Sequence, residues 1–289
     1  MRARRLIVNA DGFGFGAGAT QGILDAIRRG GFISSVSVNA NFPEARRVRE
    51  LVEEFPRVSV GVHLNAMAGK PCLPAAAVPS LVTPEGNFHD ADFVRRLRAG
   101  LIDRDELCAE LNAQIETVRA SAGQRLTHID SQENTHLYFF DLFLALARRW
   151  NLARMRNNAS LICLEARRPR RAQLKVYLRR PHVWLAHGYR RFQMKRARAA
   201  GLRMADRLVT VGYSGAGNKT VLDNWLRILR NLPAGTHEIY CHPAYPDDTL
   251  RRWAVYCDQR ALELQVLSQP VLRQTARDQG IELIGFDQI

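Results

Sequence analysis

The sequence predicts an α/β fold built mainly from parallel strands. Short apolar runs alternate with amphipathic stretches of helical length. The runs end in polar or glycine residues, the punctuation expected where a strand gives way to a loop. At 289 residues, 46% hydrophobic and 24% charged, the chain has ordinary globular composition, which excludes disordered and fibrous classes.

Leu6-Ile7-Val8-Asn9-Ala10 reads as the first strand, followed by a glycine loop through Gly18. A helix from about Thr20 carries Ile23, Leu24 and Ile27 on one face, and Gly30-Gly31 ends it. Ile33 to Val38 is the second strand, Pro43 to Glu54 a helix, and Val58 to Leu64 the third strand. A Pro- and Gly-rich loop runs from Ala66 to His89. Arg104 to Ala122 has Leu107, Leu111 and Ile115 at helical spacing. Leu126 to Asp130 is a strand, Phe139 to Asn151 a helix, and Ala153 to Arg156 a short strand. After a basic interruption come a helix over 220–231, a strand Glu238 to Cys241, a helix over 258–279 and a closing strand Ile281 to Phe286. The chain reads as one domain over 1–289, with a basic insertion near 165–205.

In such folds, sites collect at the carboxyl ends of strands. Four ends here carry catalytic residue types: Asn9-Ala10-Asp11, His63-Leu64-Asn65, the run His128 to His136, and Cys241-His242-Pro243. A lone histidine is more often a core or capping residue. Four such ends on one sheet favour a site of carboxylate and imidazole chemistry, suited to metal-assisted hydrolysis or acid–base work.

Read together, LIVNADGFG, GGFISSVSVNA, VGVHLNAMAGKP, LTHIDSQENTH and EIYCHPAYPDDTLR resemble the YdjC-like carbohydrate deacetylases, in order from about residue 5 to the C-terminus. The stretch from Arg196 to Ser214-Gly215 is closer to the hopanoid-associated branch than to the chito-oligosaccharide branch. The resemblance implies a distorted (β/α) barrel and a divalent metal, zinc or magnesium. It implies an enzyme that removes acetyl from an N-acetylated amino sugar. By that resemblance Asp11 is the general base, His63 and His136 are metal residues, His242 is the general acid or oxyanion partner, and Arg156 orients the catalytic carboxylate. Asn9, Asn65 and Gln132 are the expected substrate contacts.

Two expected ligands are replaced. The family pattern Asn-Ala-Asp-Asp-Phe-Gly puts a metal carboxylate where this chain has Gly12, and a histidine where it has Gln132. Glu133, His128 and Asp130 lie close enough in sequence to substitute. Three readings follow: a deacetylase with a rearranged metal site, a metal-independent sugar-modifying enzyme of the same fold, and a catalytically degenerate sugar-binding protein.

The net charge of +14 is concentrated. From Arg148 to Arg207 there are 18 basic residues and two acidic ones, Glu165 and Asp206, so this stretch alone carries +16. Its arginines are interleaved with Trp184, Leu185, Tyr189 and Phe192, a composition suited to an anionic membrane surface and a glycolipid substrate. Solvated basic helices are the plain alternative. No nucleic-acid-binding module is recognisable, so a nucleic-acid partner is not expected. A homodimer is a further expectation. Five cysteines without a C-x-x-C pair, no signal peptide and no long apolar run make the expected location cytoplasmic, with a peripheral position at the inner membrane face. The glycines after the first strand lack dinucleotide-site spacing, Ser214–Gly217 is not a nucleophile elbow, and Gly217–Thr220 reads as a helix-start loop.

Overall fold

A computed structural model describes residues 3–211 and 219–289. Its strands are β1 (Arg4–Phe13), β2 (Ser35–Val38), β3 (Ser59–Leu64), β4 (Leu126–Ser131), β5 (Ser160–Ile162), β6 (Arg207–Thr210), β7 (Gly235–Cys241) and β8 (Ile281–Leu283). They form one sheet in the order β4-β3-β2-β1-β7-β6-β5, with every strand pairing parallel. β8 pairs with the first residues of β1, below the point where β2 takes over the same edge.

β1 is buried from Leu6 to Phe13 because it lies in the middle of the sheet, covered on both faces. Strand alternation then sorts its side chains. Leu6, Val8 and Ala10 join the main core, while Ile7 packs with Ile284 and Phe286 in a separate cluster on the other face. Asn9 and Asp11 follow Ile7 on that second face, so it is apolar at its base and polar at the carboxyl end of the strand.

Helices α1 (Ala17–Gly30), α2 (Val48–Glu54), α3 (Phe93–Arg98), α4 (Arg104–Ala122) and α5 (Phe140–Arg149) belong to the first half. α1 lies close to the chain after β7: a Cβ on Gly22 would stand 2.6 Å from Ala244 Cα, so only glycine fits. α4 starts at Asp103, whose carboxylate accepts from the amides of Asp105 and Glu106. It buries Leu107, Leu111, Ile115 and Val118 along one stripe. Two polar residues on that helix are also buried. Glu110 accepts from the amides of Cys72 and Leu73, and Gln114 Oε1 accepts from the Asn65 amide, so α4 anchors the loop after β3.

The second half holds α6 (Pro169–Arg179), α7 (Pro181–Ala199), α8 (Leu222–Asn231), α9 (Asp248–Trp253), α10 (Asp258–Leu267) and α11 (Pro270–Asp278). The expected α/β class with mainly parallel strands is present. The strand ladder is open, however, and no strand pairing joins β4 to β5. Single bridges, Ile129 with Met155 and Arg154 with Arg203, stand where closure was expected, and they are all that remains of the strand expected over 153–156. The helix expected over 258–279 is two helices, because Pro270 has no amide to continue α10 and instead begins α11. The basic stretch forms the hairpin of α6 and α7. The motif Ser214–Gly217 lies outside the described residues, as do the end of the Arg196–Gly215 resemblance and the first part of Gly217–Thr220.

Candidate active site

Parallel register brings the polar strand ends together. Asp11 of β1 stands opposite Ser37 of β2, and His63 of β3 opposite Asp130 of β4. On the other side of β1, Asn9 is paired with Tyr240 of β7, which puts Glu238 two residues below on the same face.

Arg156 joins these strands. It follows the bridge at Met155 and is only 3% exposed. Its Nη1 donates to Asp11 Oδ2 at 2.8 Å and its Nη2 to Asp11 Oδ1 at 2.6 Å, a two-pronged ion pair. Nη2 also lies 2.9 Å from Asp130 Oδ2, and Nε donates to Glu238 Oε1 at 2.6 Å. One guanidinium therefore faces three buried carboxyl groups. Burial alone would drive its proton off, but the adjacent carboxylates hold its pKa far above the usual arginine value. Burial pushes the Glu238 carboxyl up to about 7 despite Arg156, and its Oε2 has no hydrogen-bond partner.

Asn9 fixes Asp11 from the other side. Its Nδ2 donates to Asp11 Oδ1 at 2.6 Å and to Ser37 Oγ at 2.8 Å. His63 is buried, with Nδ1 2.7 Å from Asp130 Oδ1. Burial opposes a charge on either group, yet their mutual attraction wins: the His63 pKa is raised, and Asp130, helped by Arg156, is lowered. Ligand atoms of Asp11, His63 and Asp130 lie within 4.8 Å of one another, so this buried group could hold a metal ion. The donor chemistry fits one. An imidazole and two carboxylates are a donor set that divalent ions such as zinc take.

His242, after β7, is the fourth member. Its Nε2 stands 4.0 Å from Asp11 Oδ2, and its Nδ1 shares a 2.7 Å hydrogen bond with the Tyr256 hydroxyl. Burial, then the positive charges of Arg260 and Lys219, hold its pKa well below the ordinary histidine value, so the ring is neutral.

Other expected residues are arranged differently. His136 lies outside the Asp11–His63–Asp130 group. Its Nδ1 is 2.6 Å from Ser131 Oγ and its Nε2 is 3.1 Å from Asn158 Oδ1, so both ring nitrogens are engaged. Burial lowers its pKa to about 3. Asn65 uses its amide on the loop it begins: Nδ2 donates to Asn41 Oδ1 and the Ala68 carbonyl, and Oδ1 accepts from the amides of Met67 and Ala68. Gln132 opens a 3₁₀ turn after β4 and is half-buried. In that turn Glu133 and Asn134 both have positive φ, and Asn158 Nδ2 donates to Asn134 Oδ1. His128 stacks on Phe286 at the base of the same face.

Gly12 has φ +99°, and a Cβ there would stand 3.6 Å from Arg260 Nη1. Arg260 itself was not legible from pattern. It comes from α10, is 7% exposed, donates from Nε to the Tyr256 carbonyl, and makes no ion pair within 4.0 Å among the described residues. Glu238 was missed too, although a glutamate inside the apolar run of β7 is itself a signal of a buried carboxyl group.

Comparisons with known proteins agree along the whole chain. The profile of a family described as YdjC-like protein matches residues 5–278. A carbohydrate deacetylase of Geobacillus stearothermophilus is 31% identical over 290 residues, covering 98% of this chain and 97% of the relative. A chitooligosaccharide deacetylase of Yersinia pestis (strain Pestoides F) is 28% identical over 286 residues, covering 97% of each. A crystal structure from Enterococcus faecalis V583, described as a candidate cellobiose-phosphate cleavage protein, superposes with a TM-score of 0.76. It is 27% identical and covers 99% of this chain and 98% of its own.

Proposed function

The chain belongs to the family of YdjC-like proteins, and from that premise we propose that it is a hydrolase that removes the acetyl group from an N-acetylated amino sugar. The names of its relatives support the reaction class. The observation that carries the proposal is the meeting of Asp11, His63, Asp130 and His242 around Arg156.

Asp11 is the general base that takes a proton from the attacking water, with Arg156 and Asn9 fixing its carboxylate. His63, Asp130 and Asp11 are the residues that would hold a divalent ion, for which the imidazole favours zinc over magnesium. When bound, such an ion polarises the water and the amide carbonyl. His242 is neutral at rest, so it serves as the acid only after taking up a proton. With the ring proton on Nδ1 and shared with Tyr256, Nε2 is free to receive the proton that Asp11 gains and to pass it to the leaving nitrogen. Arg260, beside Gly12 and over the Tyr256 ring, faces the acyl oxygen and stabilises its developing charge. His136 holds the strained turn after β4 and is a positioning residue. We extend the substrate to a lipid-linked sugar reached from the inner membrane face, a reading supported by the basic helices α6 and α7.

Acetate release from N-acetylglucosamine oligomers tests the proposal. Wild-type protein with added zinc is expected to release acetate, and Asp11→Asn to lower kcat by about 10²–10⁴-fold. Release that survives a chelator but not Asp11→Asn would favour the metal-independent enzyme. Sugar binding without release would favour the degenerate binding protein. Release unaffected by Asp11→Asn would overturn the assignment of the site.

A further inference from the structure

We propose that the α6–α7 hairpin is a docking surface for an anionic lipid bilayer. Six of the large apolar side chains left exposed by the fold fall on it: Leu174, Leu178, Trp184, Leu185, Tyr189 and Phe192. α6 buries none of its residues, and Leu178 is 74% exposed. On α7 the two faces are distinct. Val183, His187, Met194 and Ala197 turn inward, while Leu185, Tyr189 and Phe192, one turn apart in succession, turn outward beside Trp184, which is 62% exposed. The Tyr177 hydroxyl and His187 Nδ1 share a 3.1 Å hydrogen bond that ties the two helices together.

Charge selects the occupant. From Arg167 to Arg198 the sequence has twelve basic residues and no acidic one. A second copy docking by the same face would set these charges against each other, which disfavours a symmetric dimer here. A nucleic acid would satisfy the arginines but not the leucines, which stack poorly on bases. An anionic bilayer satisfies both, with phosphate for the arginines and acyl chain for the leucines and aromatics. No helix among the described residues is long and apolar enough to cross a membrane, so the contact is with one surface. The surface also reaches the turn after β4. The Tyr189 hydroxyl donates to the Leu137 carbonyl at 3.1 Å, in the turn that begins at Gln132.

This surface is independent of the deacetylase reading, and the two fail separately. Flotation of the full chain with phosphatidylcholine vesicles, with and without phosphatidylglycerol, is the test. Binding is expected to the anionic vesicles and to weaken with salt as the Debye length falls from about 10 Å at 0.1 M to about 3 Å at 1 M. Arg170→Glu, Arg171→Glu, Arg190→Glu and Arg191→Glu combined should lower partitioning by on the order of a hundredfold or more. Leu178→Ser with Leu185→Ser should lower it about tenfold with the charge intact. Brominated lipid should quench tryptophan fluorescence in the wild type, and Trp184→Phe should remove that quenching. Both surface variants are expected to keep wild-type unfolding midpoints and wild-type hydrolysis of soluble sugar. No vesicle binding, equal binding to neutral and anionic vesicles, tighter binding to RNA, or a dimer lost in the leucine variant would each overturn the proposal. Vesicle binding without any acetate release would leave the surface standing and remove the enzyme.

Discussion

Arg156 and the arginines of α6 and α7 are one side chain under opposite conditions. Arg156 is taken out of water and surrounded by Asp11, Asp130 and Glu238. Most hairpin arginines are exposed, on a stretch with no carboxylate of its own from 167 to 198, although Arg196 reaches Asp141 of α5. Removing a guanidinium from solvent is tolerable only where fixed partners replace the lost hydration. Buried partners therefore mark the arginine that organises a site, and an exposed arginine such as Arg170 or Arg171, on a stretch without acids, leaves its charge to the solvent side.

The strongest way to break that contrast is to remove the buried cation. Arg156→Ala leaves three carboxyl groups without their shared counter-charge and should lower stability by about 3–5 kcal/mol, read by denaturant unfolding. Unchanged stability would mean that the network contributes little. Arg260 sharpens the comparison from between the two extremes, because it is buried with no ion pair within 4.0 Å among the described residues, its guanidinium 5.1 Å from the Tyr256 ring. A structural arginine in that state would be a liability, whereas one waiting for substrate oxygen would not. Arg260→Gln should lower kcat by about 10²–10³-fold with KM little changed, and a loss confined to stability would argue against the carbonyl role.

The buried imidazoles extend the contrast to pH. Burial holds His128 and His136 at about 3, against 6.5 for the free side chain. Between those values the unfolded chain binds more protons than the folded one, so stability falls as pH drops from 6.5 toward 3. Each histidine contributes up to about 1.4 kcal/mol per pH unit. His136→Gln should remove one proton's share of that slope in unfolding curves collected from pH 6 to pH 4. The smallest effect belongs to the hairpin: Arg170→Glu with Arg171→Glu should change stability by no more than about 0.5 kcal/mol, because neither charge is buried.

The same contrast explains what could be read from sequence. Strand alternation and strand-end polarity are local, so β1, β3 and β4 and the residues Asp11, His63 and Asp130 were legible from a few neighbours. β5 and β6 are three and four residues long and sit on either side of the hairpin, too short for a period to register. Open closure of the sheet depends on which edges meet, and no run of residues encodes that. Arg260 and Tyr256 reach the site from the start of α10 and the turn before it, and only tertiary packing reveals them. The resemblance that marked His136 as a metal residue could not reveal Ser131 and Asn158, which occupy both of its nitrogens.

Gly12 has a consequence for how this protein can change. Installing aspartate there alone asks an L side chain to hold φ +99°, a strain of about 1–3 kcal/mol, and points a carboxylate at Arg260. The new acid would stand against that guanidinium, so Arg260 would have a carboxylate partner within reach. An aspartate at position 12 therefore calls for a backbone adjustment there as well as a new side chain.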